Sequence, residues 1–289
     1  MDNVTTSVAA DALFALLRPE RLTAVVDVGA NPVDGDPPYK SLLQKGLCRV
    51  VGFEPQPEAL AALKARKSEY ETYLPFVIGD GSAKTLHVCA SDGMTSLLRP
   101  DAAILHHLGG FEFWGRVVKE MPVTTRCLDD VSEIETLDFL KIDVQGSELP
   151  IFRNATRLLG TAVAIQTEVS FVCLYEDQPV FGMVDLALRE LGFIPHAIVG
   201  TKRGMISPMV GAKPDSALNQ LLEADVIYVR DFTKAELMTS EQLKHLALIA
   251  HHCYRSYDLA MNCIHRLQER SAAAPDAVTQ YMNLLRARS

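Results

Sequence analysis

The chain has 289 residues, of which 48% are hydrophobic, and its formal net charge is -8. This length suits one large α/β domain with a small appendage, and the hydrophobic content excludes a disordered chain. Nucleic-acid binding has no support because there is no long Lys/Arg run, and no stretch reaches the roughly 18 apolar residues of a membrane span. The first residues lack the basic region of a secretory signal, and the six cysteines form no CxxC pair, so we expect a cytoplasmic protein with reduced thiols.

Short apolar runs alternate with amphipathic stretches through most of the chain. Strands are predicted over residues 22–28, 49–53, 74–78, 139–144, 163–171, 193–199 and 225–229, with 85–89 as a hairpin partner of the third. Helical spacing is seen over residues 57–66, 148–159 and 179–191. Such alternation predicts an α/β fold with a doubly wound, mostly parallel sheet, in a main domain over residues 23–235.

Three segments lie outside this alternation. Residues 1–22 contain an amphipathic helix, at about 8–17, that we expect to pack on the core. Residues 94–121, which include Trp114, form an insertion that we interpret as a lid or substrate loop, with a surface helical hairpin as the alternative. Residues 236–289 are predicted to be a C-terminal helical extension, for which dimerisation and partner docking are two possible roles.

Carboxylates lie at the carboxyl ends of the first two predicted strands. Ligands of doubly wound sheets bind at the carboxyl ends of the strands, where Asp27 and Glu54 are placed. The turn GANPVDGDPP has Asn31 in place of the second glycine of GxGxxG, and its prolines and aspartates do not suit a pyrophosphate. The pattern favours S-adenosylmethionine, which is cationic and has no phosphate, over a dinucleotide; a nicotinamide-dependent oxidoreductase is the alternative.

Five segments resemble the FkbM-type methyltransferase domain, and the resemblance covers roughly residues 23–199. They are VVDVGAN (25–31), VGFEPQPEAL (51–60), TSLLRP (95–100), TRCLDD (125–130) and DFLKIDVQGSELPIFRNA (138–155). The resemblance implies a class I, Rossmann-like methyltransferase fold with seven strands, the last of them inserted antiparallel. It also implies S-adenosylmethionine as the cofactor.

The same resemblance assigns residues to the cofactor. Asp27, Gly29, Ala30 and Asn31 are assigned to the methionine end, and Glu54 with Pro55 to the ribose. Ile78, Gly79 and Asp80 are assigned to the adenine, and Asp143 with Val144 to the transferable methyl. The sequence departs from the family pattern at two positions. Val33 stands where a glycine is usual, and Gln145 stands where the family motif has glutamate.

Acidic and basic side chains near the fourth and fifth strand ends form a candidate catalytic cluster of Lys141, Asp143 and Glu168. Asp143 is expected to orient or deprotonate an acceptor hydroxyl, and capping of the following helix is the alternative. His107, in the insertion, is a second candidate base. A Mg²⁺ ion held by Asp143 and Glu168 is an alternative that we do not expect.

These observations together predict an S-adenosylmethionine-dependent O-methyltransferase. The expected acceptor is a hydroxyl of a sugar, a glycan or a polyketide-type metabolite, on the basis of the resemblance. A non-catalytic module that binds S-adenosylmethionine, or docks a partner through the tail, is a further alternative. No metal, nucleic-acid partner or membrane span is expected.

Overall fold

The computed structural model describes residues 11–31, 35–209 and 218–287. The strands of this part are β1 (Thr23–Val28), β2 (Cys48–Phe53), β3 (Glu71–Leu74), β4 (Ala83–Cys89), β5 (Val117–Thr124), β6 (Phe139–Ile142), β7 (Ala164–Ser170), β8 (Phe193–Gly204) and β9 (Gln220–Arg230). Its α-helices are α1 (Ala12–Leu17), α2 (Lys40–Gln44), α3 (Pro57–Arg66), α4 (Ala102–His106), α5 (Phe111–Trp114), α6 (Glu148–Arg153), α7 (Thr156–Thr161), α8 (Phe181–Glu190), α9 (Ser240–Tyr254), α10 (Tyr257–Glu269) and α11 (Ala277–Arg286).

Seven strands form one sheet in the order β3-β2-β1-β6-β7-β9-β8. The first five run parallel, and β9 lies antiparallel between β7 and β8. From β1 the chain builds outward to β3, and it then returns to the other side of β1 with β6. The predicted doubly wound sheet is therefore confirmed, and its strand order reverses between β1 and β6.

The third strand was predicted too late in the chain. β3 ends at Leu74, directly before Pro75, because proline has no N–H for the strand ladder. The predicted hairpin partner of this strand, β4, pairs instead with β5 in a separate two-stranded sheet. The helix predicted over residues 148–159 is divided into α6 and α7 at Asn154, whose side chain donates to Pro150 O at 2.8 Å.

Both faces of the central strands are buried, and successive residues alternate between two apolar cores. Val25 of β1 and Phe139 of β6 pack in a core that includes Leu246 of α9. The next residue of each strand, Val26 and Leu140, packs in the second core with α6 and α7. This alternation explains why the strands are continuously apolar in sequence.

The C-terminal helices cover one face of the sheet. α9 begins with a capping box between Thr239 and Gln242, and most of its residues from Leu243 to His251 are buried. α1 packs into the same core; the predicted helix started at Val8, and residues 8–10 lie outside the described residues. No helix of the described ranges is long and apolar enough to cross a membrane.

The insertion at residues 94–121 has a small core of its own. Leu105 of α4 packs there with Tyr175, and the rings of Phe111 and Trp114 lie 5.3 Å apart in an edge-on contact. Its last five residues belong to β5. The predicted aromatic segment is thus packed mainly against itself and the loop after β7.

Candidate active site

A cavity of about 660 Å³ lies at the carboxyl ends of β1, β2 and β6, where the strand order reverses. Its wall includes most of the residues predicted for the cofactor, together with two of the predicted catalytic residues. These are Asp27, Gly29, Ala30, Asn31, Glu54, Pro55, Ile78, Lys141, Asp143 and Val144. The position agrees with the rule that ligands of doubly wound sheets bind at the switch point.

Asp27, at the end of β1, is 2% exposed. Its Oδ2 accepts a hydrogen bond from the Tyr39 hydroxyl at 2.6 Å, while Oδ1 lies 3.5 Å from Lys141 Nζ and forms no hydrogen bond within the described chain. Burial raises the pKa of Asp27, against the opposing effect of Lys141. Burial would lower the pKa of Lys141, but Asp27 and Asp143 outweigh it and raise that pKa. Oδ1 of this buried carboxylate therefore has only the ion pair with Lys141 as a partner within the described chain.

Gly29 brings the turn after β1 against the neighbouring strand. Its φ is +81°, and a Cβ at this position would lie 2.1 Å from Asp143 O, so only glycine fits. The amides of Gly29 and Ala30 both donate to Phe53 O, at 3.2 and 3.0 Å. These two amides are consequently not available to a phosphate, which is the opposite of a dinucleotide-binding turn.

Glu54 follows β2 and is 3% exposed. Its Oε1 accepts from the amide of Gln56 at 2.7 Å, and its other oxygen forms no hydrogen bond within the described part of the chain. Burial raises the pKa of Glu54, although the Gln56 amide opposes this. A buried carboxylate with a remaining acceptor at this strand end suits a ribose hydroxyl.

Asp143, after β6, is joined to Glu168 of β7 through the side chain of Gln145. Gln145 Nε2 donates to Asp143 Oδ1 at 2.7 Å and to Glu168 Oε2 at 3.0 Å. The other oxygen of Glu168 lies 2.7 Å from Lys202 Nζ. Burial, with Asp143 and Glu223 nearby, raises the pKa of Glu168 well above its usual value. Asp143 thus stands at the cavity end of a chain of polar contacts.

Comparison with known protein families agrees with this site. The family model described as the methyltransferase FkbM domain matches residues 27–195, more than half of the chain. The chain belongs to the FkbM methyltransferase family. The match begins at Asp27 and includes every wall residue named above.

Among characterised proteins, the chain is similar to the 2-O-methyltransferase NoeI of Sinorhizobium fredii, with 28% identity over 181 residues, which is 56% of this chain and 70% of that one. Among solved structures, it is similar to an FkbM methyltransferase of Methylobacillus flagellatus (16% identity, 72% and 43% of the two chains, TM-score 0.36). It is also similar to the magnesium protoporphyrin IX methyltransferase of Synechocystis (13% identity, 79% and 76%, TM-score 0.36). The two structural likenesses are too weak to add to what the strand order shows.

The residues of the cavity fit the cofactor that the family implies, S-adenosylmethionine. This cofactor has hydroxyl and ammonium donors and a sulfonium, and no phosphate. The wall offers it the carboxylates of Asp27 and Glu54, each with one oxygen that has no hydrogen bond within the described chain, while the amides of Gly29 and Ala30 already donate to Phe53 O. This set of acceptors suits a cationic nucleoside better than a pyrophosphate.

Some predicted site residues are not brought to the cavity. Within the described chain, Gly79, Asp80, Glu168 and His107 are absent from its wall. Asp80 Oδ1 accepts a hydrogen bond from Ser82 Oγ at 2.6 Å. Because the wall includes Ile78 but not Asp80, the predicted adenine contact with Asp80 requires a ligand that extends past Ile78.

Lys141 and His107 differ from the expected catalytic cluster. Lys141 was expected to pair with Asp143 or Glu168, but Nζ donates to Gly29 O at 3.0 Å and pairs with Asp27. His107 is exposed at the end of α4, away from the wall. The structure therefore associates Lys141 with the cofactor end of the cavity rather than with Asp143.

Sequence reasoning missed three residues that hold the site. Tyr39, Tyr175 and Lys202 contact Asp27, Gln145 and Glu168 respectively. Lys202 lies on β8, beyond residue 199 where that strand was predicted to end. A longer alternating pattern could have signalled the strand extension, whereas no local signal marks the two tyrosines.

Proposed function

We propose that this protein is an S-adenosylmethionine-dependent O-methyltransferase that methylates a hydroxyl of a sugar, glycan or polyketide-type metabolite. One observation carries the proposal. A cavity at the switch point of a class I sheet has the carboxylates of Asp27 and Glu54 on its wall together with that of Asp143. Membership of the FkbM family supports the methyl-transfer chemistry.

In the proposed binding mode, Glu54 accepts from the ribose hydroxyls and Asp27 faces the amino-acid end of the cofactor. Gly29, Ala30 and Asn31 form the wall beside that end, Pro55 lies next to the ribose, and Val144 lies beside the methyl. The assignment of Gly79 and Asp80 to the adenine is part of the same proposal. When bound, S-adenosylmethionine supplies an electrophilic methyl group.

The proposed role of Asp143 is to accept the proton of the acceptor hydroxyl. Asp143 lies on the cavity wall, and the amide of Gln145 fixes its Oδ1. A carboxylate placed within reach of a hydroxyl orients it and receives its proton as the oxygen attacks. Lys141 opposes the rise in the pKa of Asp27 that burial causes, because a nearby positive charge favours the carboxylate.

The hydroxyl specificity has two supports. The 2-O-methyltransferase NoeI, which is named for an oxygen acceptor, is similar over 56% of this chain. The cavity wall also carries Ser96 and Asp225, whose polar groups suit a polyhydroxylated molecule.

Ligand binding and methyl transfer test the proposal in two stages. S-adenosylhomocysteine should raise the melting temperature, whereas NAD⁺ should not; a ligand at about 100 times its Kd stabilises by roughly 2.7 kcal/mol. Radiolabelled methyl transfer is then screened against sugars, glycans and small metabolites. Stabilisation by NAD⁺ alone would refute the cofactor assignment.

The Asp143→Asn variant separates binding from catalysis. Asparagine is isosteric but cannot accept the hydroxyl proton, so methyl transfer should fall at least about 100-fold while S-adenosylhomocysteine affinity stays within about threefold. Full activity of the variant would remove Asp143 from the mechanism. The control is Glu58→Gln, the same change of acid to amide at an exposed residue that is absent from the cavity wall, and it should change neither activity nor affinity.

A further inference from the structure

We propose that Gln145 is a positioning residue that takes the place of a bridging cation between Asp143 and Glu168. The inference rests on the proposed function in one respect only, since Asp143 is the base of that reaction. Gln145 is where this sequence departs from the glutamate of the family motif.

Both hydrogens of the Gln145 amide are used. Nε2 donates to Asp143 Oδ1 at 2.7 Å and to Glu168 Oε2 at 3.0 Å, which is the full donor capacity of a primary amide. The Tyr175 hydroxyl lies 3.2 Å from Gln145 Oε1 and donates on the opposite side. These contacts fix the orientation of the Gln145 side-chain amide, because a flipped amide would turn its oxygen toward two carboxylates.

The backbone of Gln145 is held in place for this contact. Its φ is +56°, in the left-handed region that disfavours residues other than glycine. Ser96 Oγ donates to the backbone oxygen of Gln145 at 2.7 Å. Gly146, which follows Gln145, packs so closely on Gln178 that a Cβ on Gly146 would lie 2.7 Å from Gln178 Nε2. Strained backbone persists where surrounding structure holds it, and such positions cluster at functional sites.

Charge explains why an amide suits this position. Glu168 already has Lys202 on its other oxygen, at 2.7 Å, and Asp143 faces the cavity. Glutamate at position 145 would place a third carboxylate among the other two, and like charges this close do not all remain ionised without a cation. In the described chain, no group of three His, Cys, Asp or Glu side chains is arranged to hold a metal ion. Gln145 donates hydrogen bonds to both carboxylates and adds no negative charge, and it thus fills the bridging position that a cation occupies between paired carboxylates.

The Gln145→Glu variant tests the proposal without any methyl-transfer assay. Its three carboxylates should bind a divalent cation with oxygen ligands, so about 10 mM Mg²⁺ or Ca²⁺ should raise its melting temperature by roughly 2–4 °C. The wild-type melting temperature should not respond to either cation or to EDTA. Gln166→Glu, which adds the same charge elsewhere on the cavity wall, is the matched control and should not respond either.

A second variant covers a failure of Gln145→Glu to fold. Gln145→Met removes both donors at similar volume and leaves two facing carboxylates, so it should also gain a cation-dependent rise in melting temperature. The same response in wild type or Gln166→Glu, or no response in either Gln145 variant, overturns the proposal.

Turnover supplies the second readout once an acceptor is found. Gln145→Glu should lower kcat about tenfold with the KM for the cofactor unchanged, and Mg²⁺ should restore kcat in this variant only. A purely structural role would lower stability without cation rescue of kcat. If no methyl transfer is found for any variant, the melting data still decide the role of Gln145, so this result and a failure of the proposed function remain distinct.

Discussion

The two ends of the central strands carry equally buried carboxylates in very different surroundings. Asp138, at the amino end of β6, is 1% exposed and accepts from both terminal nitrogens of Arg21 and from the amide of Ala24 at 2.7 Å. Asp27, at the carboxyl end of β1, is 2% exposed, but its Oδ1 has no hydrogen bond within the described chain. Both oxygens of Asp138 accept hydrogen bonds from the protein, whereas Asp27 Oδ1 has only its ion pair with Lys141.

This difference separates a structural carboxylate from a ligand-binding one better than burial does. Buried polar atoms are nearly always hydrogen-bonded, so the oxygens of Asp27 and Glu54 that lack a hydrogen bond, on two residues of the cavity wall, are candidates to accept from a ligand. His245 of α9 lies at the amino end, where its Nδ1 is 3.1 Å from Thr23 Oγ1, its Nε2 has no hydrogen bond within the described chain, and burial lowers its pKa. We therefore expect substitution of Asp138 to change stability and substitution of Glu54 to change ligand binding.

Asp138→Ala should give the largest effect. It leaves the Ala24 amide and the Arg21 guanidinium without their partner, so the free energy of unfolding should fall by about 3 kcal/mol. Urea denaturation measures this loss. Well below the melting temperature, the affinity for S-adenosylhomocysteine should stay within about twofold, and a parallel loss of affinity would contradict the division between the two ends.

Glu148→Gln should give the next largest effect, and it depends on pH. Glu148 is buried and accepts from the amides of Val144 and Gly146, yet burial raises its pKa to about 7. A carboxyl whose pKa is higher in the folded state contributes its full stability at pH values below the pKa of the unfolded chain. That contribution is lost as the pH rises through the folded-state pKa of about 7. The wild type should lose on the order of 2 kcal/mol between pH 5 and pH 8 from this group.

In the Glu148→Gln variant, the side-chain amide oxygen still accepts from both backbone amides but does not ionise. The variant should therefore lack this loss and be the more stable protein at pH 8. Denaturation at the two pH values measures the difference, with exposed Glu58→Gln as the control. Equal pH dependence of wild type and Glu148→Gln would show that Glu148 does not titrate in this range.

Glu54→Gln should weaken S-adenosylhomocysteine binding about tenfold, or ~1.4 kcal/mol, with little change in stability. The variant keeps the acceptor for the Gln56 amide but removes the charge that strengthens hydrogen bonds to a ribose. Calorimetric titration measures the Kd. An unchanged Kd would refute the ribose assignment.

Asp80→Asn should have the smallest effect, less than about threefold on the same Kd. Its oxygens are engaged with Ser82 and with Lys84, whose Nζ lies 3.1 Å from Oδ2, and hydrogen bonds from Ser82 lower its pKa. A loss of tenfold or more in calorimetry would instead support the adenine contact that the family resemblance assigns to Asp80.

Much of the site was predictable because its signals are local. Each parallel strand is a short apolar run. By the rule for doubly wound sheets, the residues at the carboxyl ends of β1 and β6 meet at one edge of the sheet. That is enough to bring Asp27 and Asp143 to one cavity. The third strand failed because Pro75 lies inside the predicted range, and a local proline signal was overlooked.

The sequence by itself determined the alternation of strands and helices, the strand ends that carry carboxylates, and the motif segments of the family. Only the tertiary structure decided which partner each charge has: Lys141 pairs with Asp27, Lys202 reaches Glu168 from β8, and Gln145 joins Asp143 to Glu168. It also decided that α9 completes the core on one face of the sheet. Hydrophobic periodicity is a property of neighbours along the chain. These pairings join residues 23 to 114 positions apart, or depend on the side-chain direction within a turn, and they follow from sheet order and packing.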